Sequence, residues 1–210
     1  TFGASPYGWS QDVVDGAIMM LLVSGNVMAL QGSTAISHKQ LDQTKIGVTE
    51  FRRLLPTLSA SQKIEIRKLF TSVNVDAKPG EEHLSAVRFV DELQKRRQAA
   101  GGDAPLPVRP ERAYLQEVGM QAGNDQLSLI FEKRIELKAD IEAWKRASDA
   151  IAVRLPRWET LRRLAENVTA LDGGTEICEQ AAAIESGRTL LNNPDPVPDL
   201  CDKATVLLRN

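Results

Sequence analysis

Apolar positions gather first between Val13 and Val23, a run broken only by Asp15 and Gly16. Ser10 stands before it as a helix cap, and Asp12 falls in the first turn, where a carboxylate meets the positive end of the helix dipole. Gly25-Asn26 follows as a left-handed stop. The pattern predicts a short helix buried on most of its sides. Val27–Leu30 then reads as a strand, Gln31-Gly32-Ser33 as a turn and Thr34–Ser37 as the return strand of a small hairpin. Helix followed by hairpin is the back half of a winged-helix unit, entered here through the aromatic turn Tyr7-Gly8-Trp9. Ile46–Leu58 has a β-branched start but also the helix-compatible FRRLL; Pro56 would break a helix there, so a third strand is expected.

Ser59 caps the next helix, running to Phe70 with Ile64, Leu69 and Phe70 on one face. Glu81–Ala100 repeats at helical spacing, with Leu84, Val87, Val90 and Leu93 or residues next to them inward and Gly101-Gly102 as its stop. Gly101–Pro110 reads GGDAPLPVRP and predicts a stiff, exposed linker. The expected domains are therefore 1–100, a winged-helix-like α+β domain, and 111–210, a helical bundle, joined by 101–110. In the second, Glu111–Gln121 is a short helix and Asn124-Asp125 caps the longest one. Positions 127, 130, 134, 137, 141, 144, 148, 151 and 155 alternate three and four residues apart, and seven of the nine are apolar. Leu127, Ile130, Leu137, Ile141, Trp144 and Ile151 on this seam are the candidate partner interface. Pro156 stops the helix, and Trp158, Leu161, Ala165, Val168 and Leu171 mark a return helix, giving an antiparallel helical hairpin with Trp158 at its bend. Two further helices, capped at Thr175 and starting near Asp199, close the bundle. The expected fold is mainly α: a small α+β unit followed by an elongated helical bundle.

Composition changes this picture little. With 26% charged residues, 42% hydrophobic and 5% aromatic, 210 residues make an ordinary globular chain with a helical bias. A formal net charge of -2 excludes a surface that is basic throughout, so any nucleic-acid contact would be a patch. No apolar run reaches the roughly 18–20 residues that span a bilayer, and no basic-then-apolar leader pattern opens the chain, so a cytoplasmic protein is expected. Thr1 in the first position and the abrupt entry on a formed motif suggest a domain cut from a longer chain. Cys178 and Cys201 fit reduced, structural thiols, with a bridge between two C-terminal helices as the alternative.

The chemistry search returns no catalytic constellation. There is no phosphate-cradling glycine loop followed by Lys-Ser/Thr, and no GxGxxG turn. His38 and His83 stand apart without Cys or paired carboxylates at ligand spacing, so no metal or cofactor is expected. Arg52, Arg53, Lys63, Arg67 and Lys68 form a basic run that either decorates solvated faces or touches phosphates without reading sequence. Tyr7 and Trp9 either staple onto the first helix or offer a stacking platform.

PYGWSQDVVDGAIMMLLVSGNVMA, KIGVTEFR, SASQKIEIRKLF and KPGEE, followed by AGGDAPLP, the helix ending near EAW, RLPRWE and NPDPVP, resemble the C-terminal region of the large P-loop ATPase of BREX bacteriophage-exclusion systems, the BrxC/PglY family. The resemblance covers nearly the whole chain. It implies a part in a DNA-directed phage-defence assembly of the bacterial cytoplasm. The nucleotide-binding motif of that family lies upstream, so no ATP-site residue carries over. What the resemblance implies here is a non-catalytic arm that docks other defence proteins or another copy of the ATPase, with direct DNA binding as the alternative.

Overall fold

A computed structural model describes residues 8–209, and among these the chain is mainly helical with one small antiparallel sheet near its start. It divides into two compact units. The first holds the described residues up to Glu92 together with Ala113–Lys138; the second holds Leu93–Arg112 and the residues from Ala139 onward. This partition differs from the expected 1–100 and 111–210, because the segment after Ala113 packs with the first unit. The side chain that fastens it is Asn124: its Nδ2 donates to the carbonyls of Leu54 at 3.3 Å and Pro56 at 2.9 Å. Asn124 is thus buried tertiary glue and not the expected helix cap.

In the first unit, α1 (Gln11–Val23) leads into β1 (Val27–Gln31) and β2 (Thr34–Ile36), joined by a two-residue turn with Gly32 at positive φ. β3 (Glu50–Arg53) pairs with the other edge of β1, giving the order β2-β1-β3, with Ala29 opposite both Ile36 and Phe51. The expected strand from Ile46 is shorter than its β-branched start suggested. Asp42 accepts from the amide of Thr44 and holds Gln43–Val48 in a 3-10 turn, which drops Ile46 into the core beside Leu22, Ala29 and Leu41.

α2 (Ala60–Thr71) opens with a complete capping box, Ser59 and Gln62 bonding each other's backbone amides. Its inward face is Ile66, Leu69 and Phe70; Ile64, expected inside, is exposed. α3 (Glu82–Ala99) keeps Leu93 buried and Val90 half-buried, as expected. Phe89 and Ala86 are buried while Leu84 and Val87 are exposed, because the one aromatic ring of the helix packs against Phe70 at 4.6 Å between centroids. α4 (Ala113–Met120) and α5 (Gly123–Glu132) complete this unit, with Gln126 Nε2 bonding the Val118 carbonyl between them.

The largest correction concerns Pro156. The helix expected to stop there, α6 (Arg134–Val168), runs 35 residues straight through it, so the antiparallel hairpin is not formed and Trp158 lies on a helix face, not at a bend. The apolar phase explains this. Trp144, Ile151, Trp158 and Ala165 are seven residues apart, on one face on both sides of the proline. An interior proline costs a helix about 3 kcal/mol, less than is returned by burying Trp158, Leu161 and Val168 on one side. Replacing Pro156 with Ala is therefore expected to raise the unfolding free energy by about 1–3 kcal/mol. Thermal melts followed by circular dichroism check this; a lowered midpoint would contradict it.

In the second unit, Trp158, Leu161, Ile177, Ile184, Leu190 and Leu200 form the core under α7 (Gly174–Gly187) and α8 (Val197–Arg209). Residues 101–110 are not the exposed linker that their prolines and glycines implied. Gly101 is buried, Leu106 packs on that core, and Arg188 Nη1 donates to the carbonyls of Gly102 at 2.8 Å and Leu106 at 3.1 Å. Arg154 makes a second clamp, donating to the Leu190 and Asn192 carbonyls and to Asn193 Oδ1. Backbone carbonyls that Pro-rich loops leave unpaired are thus satisfied by arginines.

Candidate interaction surface

Of the six seam residues, Leu127, Ile130, Leu137, Ile141 and Trp144 are buried and Ile151 is half-buried. The three-four spacing belongs to internal packing, and these side chains are not offered to a partner. The seam is also divided between helices: α5 carries Leu127 and Ile130, Lys133 breaks the helix, and α6 carries the rest. Sequence periodicity continued across a break that it does not record.

The five basic candidates separate on inspection of their partners. Lys63 is only 7% exposed, and its ammonium donates to the carbonyls of Ser24 at 2.6 Å and Gly25 at 3.1 Å, closing the C-terminal end of α1. Burial pushes its pKa down, with the Glu82 carboxylate acting against that. Arg67 pairs with Glu82, which is 1% exposed. Lys68 bonds Glu65 at 2.8 Å and Arg52 bonds Glu50 at 2.7 Å, both in the open. Arg53 is exposed. Two of the five are therefore committed to the interior of the unit, and a phosphate contact would have to compete with existing pairs at two more.

Lys63, Arg67 and Glu82 also line a cleft of about 340 Å³ with Val23, Leu58 and Ile64. Within it Arg67 pairs with Glu82, and Lys63 bonds the Ser24 and Gly25 carbonyls at the end of α1. Beside it, Ser37 Oγ donates to Glu81 at 2.7 Å and His38 Nδ1 lies 3.3 Å from the same oxygen. This is not a nucleophile–base pair, because both groups address the carboxylate and not each other. No group of three or more His, Cys, Asp or Glu among the described residues could hold a metal ion.

His83 has its pKa lowered, chiefly by burial. The folded chain thus favours the neutral ring, whereas the unfolded chain takes up its proton near 6.5. Stability from this residue is full above that value and is lost as the pH falls below it. The drop in melting temperature between pH 7.5 and pH 5.5 should therefore shrink in His83→Gln; an equal drop in both proteins would contradict this.

The feature that sequence reading misplaced is α1. Its inward side carries Leu22, Ile18 and Asp15, the last accepting from Gln11 Nε2 at 2.7 Å. On the opposite side Val13 is 56% exposed, Met20 75% and Leu21 44%, with Ala17 and Gly16 open between them. Trp9, just before the helix, is half-exposed; Gly8 takes a positive φ, and Tyr7 lies outside the described residues. At 100° per residue Val13, Ala17 and Met20 fall within one narrow stripe, diametrically opposite Leu22. A helix apolar on two faces was read as a helix buried on both. The rest of the chain supplies a core for one of them only.

In the second unit a groove of about 470 Å³ runs between α7 and α8, walled by Ile177, Val206 and Leu207 and edged by Glu176, Asp202 and Lys203. No helix among the described residues is long and apolar enough to cross a membrane. No family model, curated protein or solved structure matches the chain.

Proposed function

We propose that the chain is a non-catalytic interaction module of a BREX-type phage-defence ATPase, acting in the bacterial cytoplasm by docking other proteins of the defence assembly or another copy of itself. The observation that carries this reading is the outward face of α1. Exposing Val13, Met20, Leu21 and Val23 on one short helix is unfavourable in water, and contiguous apolar patches of this kind mark sites of protein association. The helix behind the patch is anchored by Lys63 and by the inward Leu22, so the face is presented in a fixed geometry. Sequence-nonspecific DNA binding receives less support, since it draws on cations already engaged within the unit.

Co-expression with the other proteins of a BREX locus tests the reading. A tagged chain is expected to co-purify at least one of them, and Met20→Glu is expected to abolish that co-purification with the circular dichroism spectrum unchanged. Co-purification indifferent to Met20→Glu and to Val13→Glu would overturn it.

A further inference from the structure

We propose that the cleft beside the C-terminal end of α1 binds a carboxylate that carries a short apolar tail: Arg67 and Lys63 hold the carboxylate, and Val23, Leu58, Ile64 and Pro79 cover the tail. This site does not depend on what the outward face of α1 docks.

The charges that meet in the cleft do not balance. Lys63 and Arg67 bring two positive charges, and Glu82, 1% exposed and paired with Arg67, returns one negative charge. Lys63 is buried, yet among the described residues its ammonium makes no ion pair and donates only to the Ser24 and Gly25 carbonyls. Of the neighbouring groups, His83 has its pKa lowered by burial and is neutral at neutral pH, and Glu81 is turned to Ser37 and His38. The negative end of the α1 dipole offsets about half a unit of charge, which leaves the cleft with a positive surplus. A buried ammonium without a counter-ion is costly. That cost shows in the Lys63 pKa, which burial pushes down, with Glu82 opposing and Arg67 adding to the fall. An anion seated beside Lys63 relieves it.

The donors left over are those a carboxylate takes. Arg67 reaches Glu82 through Nη1, and among the described residues nothing accepts from its Nε or Nη2, the edge of a guanidinium that meets both oxygens of a carboxylate at once. Lys63 has three N–H bonds and spends two. The other walls are hydrocarbon: Leu58 is buried, while Val23 and Ile64 are exposed and gain by being covered with an apolar tail. A surplus of at most one charge matches a monoanion and not a phosphate ester, which carries nearly two. At about 340 Å³ the cleft stands at the small end of ligand sites, so the tail is a few carbons long. Such a group exists on a free short-chain acid and at the end of a polypeptide whose last residue is apolar.

Nuclear magnetic resonance titration of the isotope-labelled chain tests this. Isocaproate is expected to give saturable shifts at Ser24, Ile64 and Gly80, and isohexanol, with the same tail and no charge, should bind at least about tenfold more weakly. Ile64→Glu, at an exposed position, keeps the fold and should weaken isocaproate binding by about tenfold or more, whereas Ile64→Lys should not. Lys63→Met should abolish binding; if that chain unfolds, the two Ile64 variants still decide. N-acetyl-leucine separates the sources: binding at least as tight as that of isocaproate assigns the site to a chain end, and much weaker binding assigns it to a free acid. Isohexanol binding as tightly as isocaproate, no saturable shift with either acid, or equal affinities of Ile64→Glu and Ile64→Lys would overturn the proposal.

Discussion

Replacing Trp158 with Ala is expected to destabilise the second unit by about 3–5 kcal/mol, the usual cost of deleting a large aromatic from a packed interior. Trp158 is 2% exposed and sits in the cluster formed by Leu161, Ile177, Ile184 and Leu200. Three elements therefore lose contact at once, and α7 and α8 have few other large side chains with which to refill the space. The indole lies two residues beyond Pro156, so the same substitution removes much of what holds α6 helical past that proline. Denaturant unfolding followed by far-ultraviolet circular dichroism measures the loss. Hydrogen exchange resolved along the chain should place the new exchange in residues 150–205. An unfolding curve superimposable on that of the parent would contradict the packing described.

The second large effect is expected at Gly80. Its φ is +84°, a conformation costly for any residue with a Cβ, and a Cβ there would stand 1.9 Å from the Val23 carbonyl oxygen. That atom is backbone, and it cannot step aside without moving the end of α1. Gly25 faces the same crossing, its own missing Cβ lying 2.9 Å from the Gly80 carbonyl oxygen. Gly80→Ala should therefore cost about 2–4 kcal/mol through combined strain and overpacking. It should also loosen the Lys63 bonds to Ser24 and Gly25. The readout is faster hydrogen exchange in residues 11–31 and 60–71; protection equal to that of the parent would show that the crossing is not tight.

Much of the fold was legible because local chemistry and tertiary structure agree. The helix over 11–23, the hairpin after it, the Ser59 cap and the helical second half all follow from residues adjacent in sequence. Where expectation and structure part, the deciding interaction is distant. Phe89 turns α3 towards Phe70, Asn124 ties the start of α5 to Leu54 and Pro56, and Arg188 gathers a Pro/Gly segment that composition alone describes as exposed. Pro156 misled for another reason. A breaker residue was weighed alone, although the seven-residue spacing of Trp144, Ile151, Trp158 and Ala165 was already present in the sequence and is the stronger signal.

The candidate surface was less legible than the fold. Periodicity marks apolar side chains that must be covered, but it does not say whether the chain itself covers them. The Leu127–Ile151 seam and the α1 run gave the same kind of signal. The seam proved to be largely interior, while half of α1 faces water. Among the cations the same ambiguity holds, since Lys63 and Arg53 are alike in sequence and opposite in setting: one buried against carbonyls, the other exposed.

These two apolar patterns make opposite claims about two side chains, and one paired measurement separates them. Met20→Glu and Trp144→Glu would each be examined by thermal melt and by co-purification with the co-expressed proteins of the locus. Met20→Glu is expected to melt with the parent and to lose association, whereas Trp144→Glu, which buries a charge at a 2% exposed position, is expected to unfold. A folded Trp144→Glu chain that loses association, beside a Met20→Glu chain that keeps it, would return the interface to the seam and contradict the account given for α1.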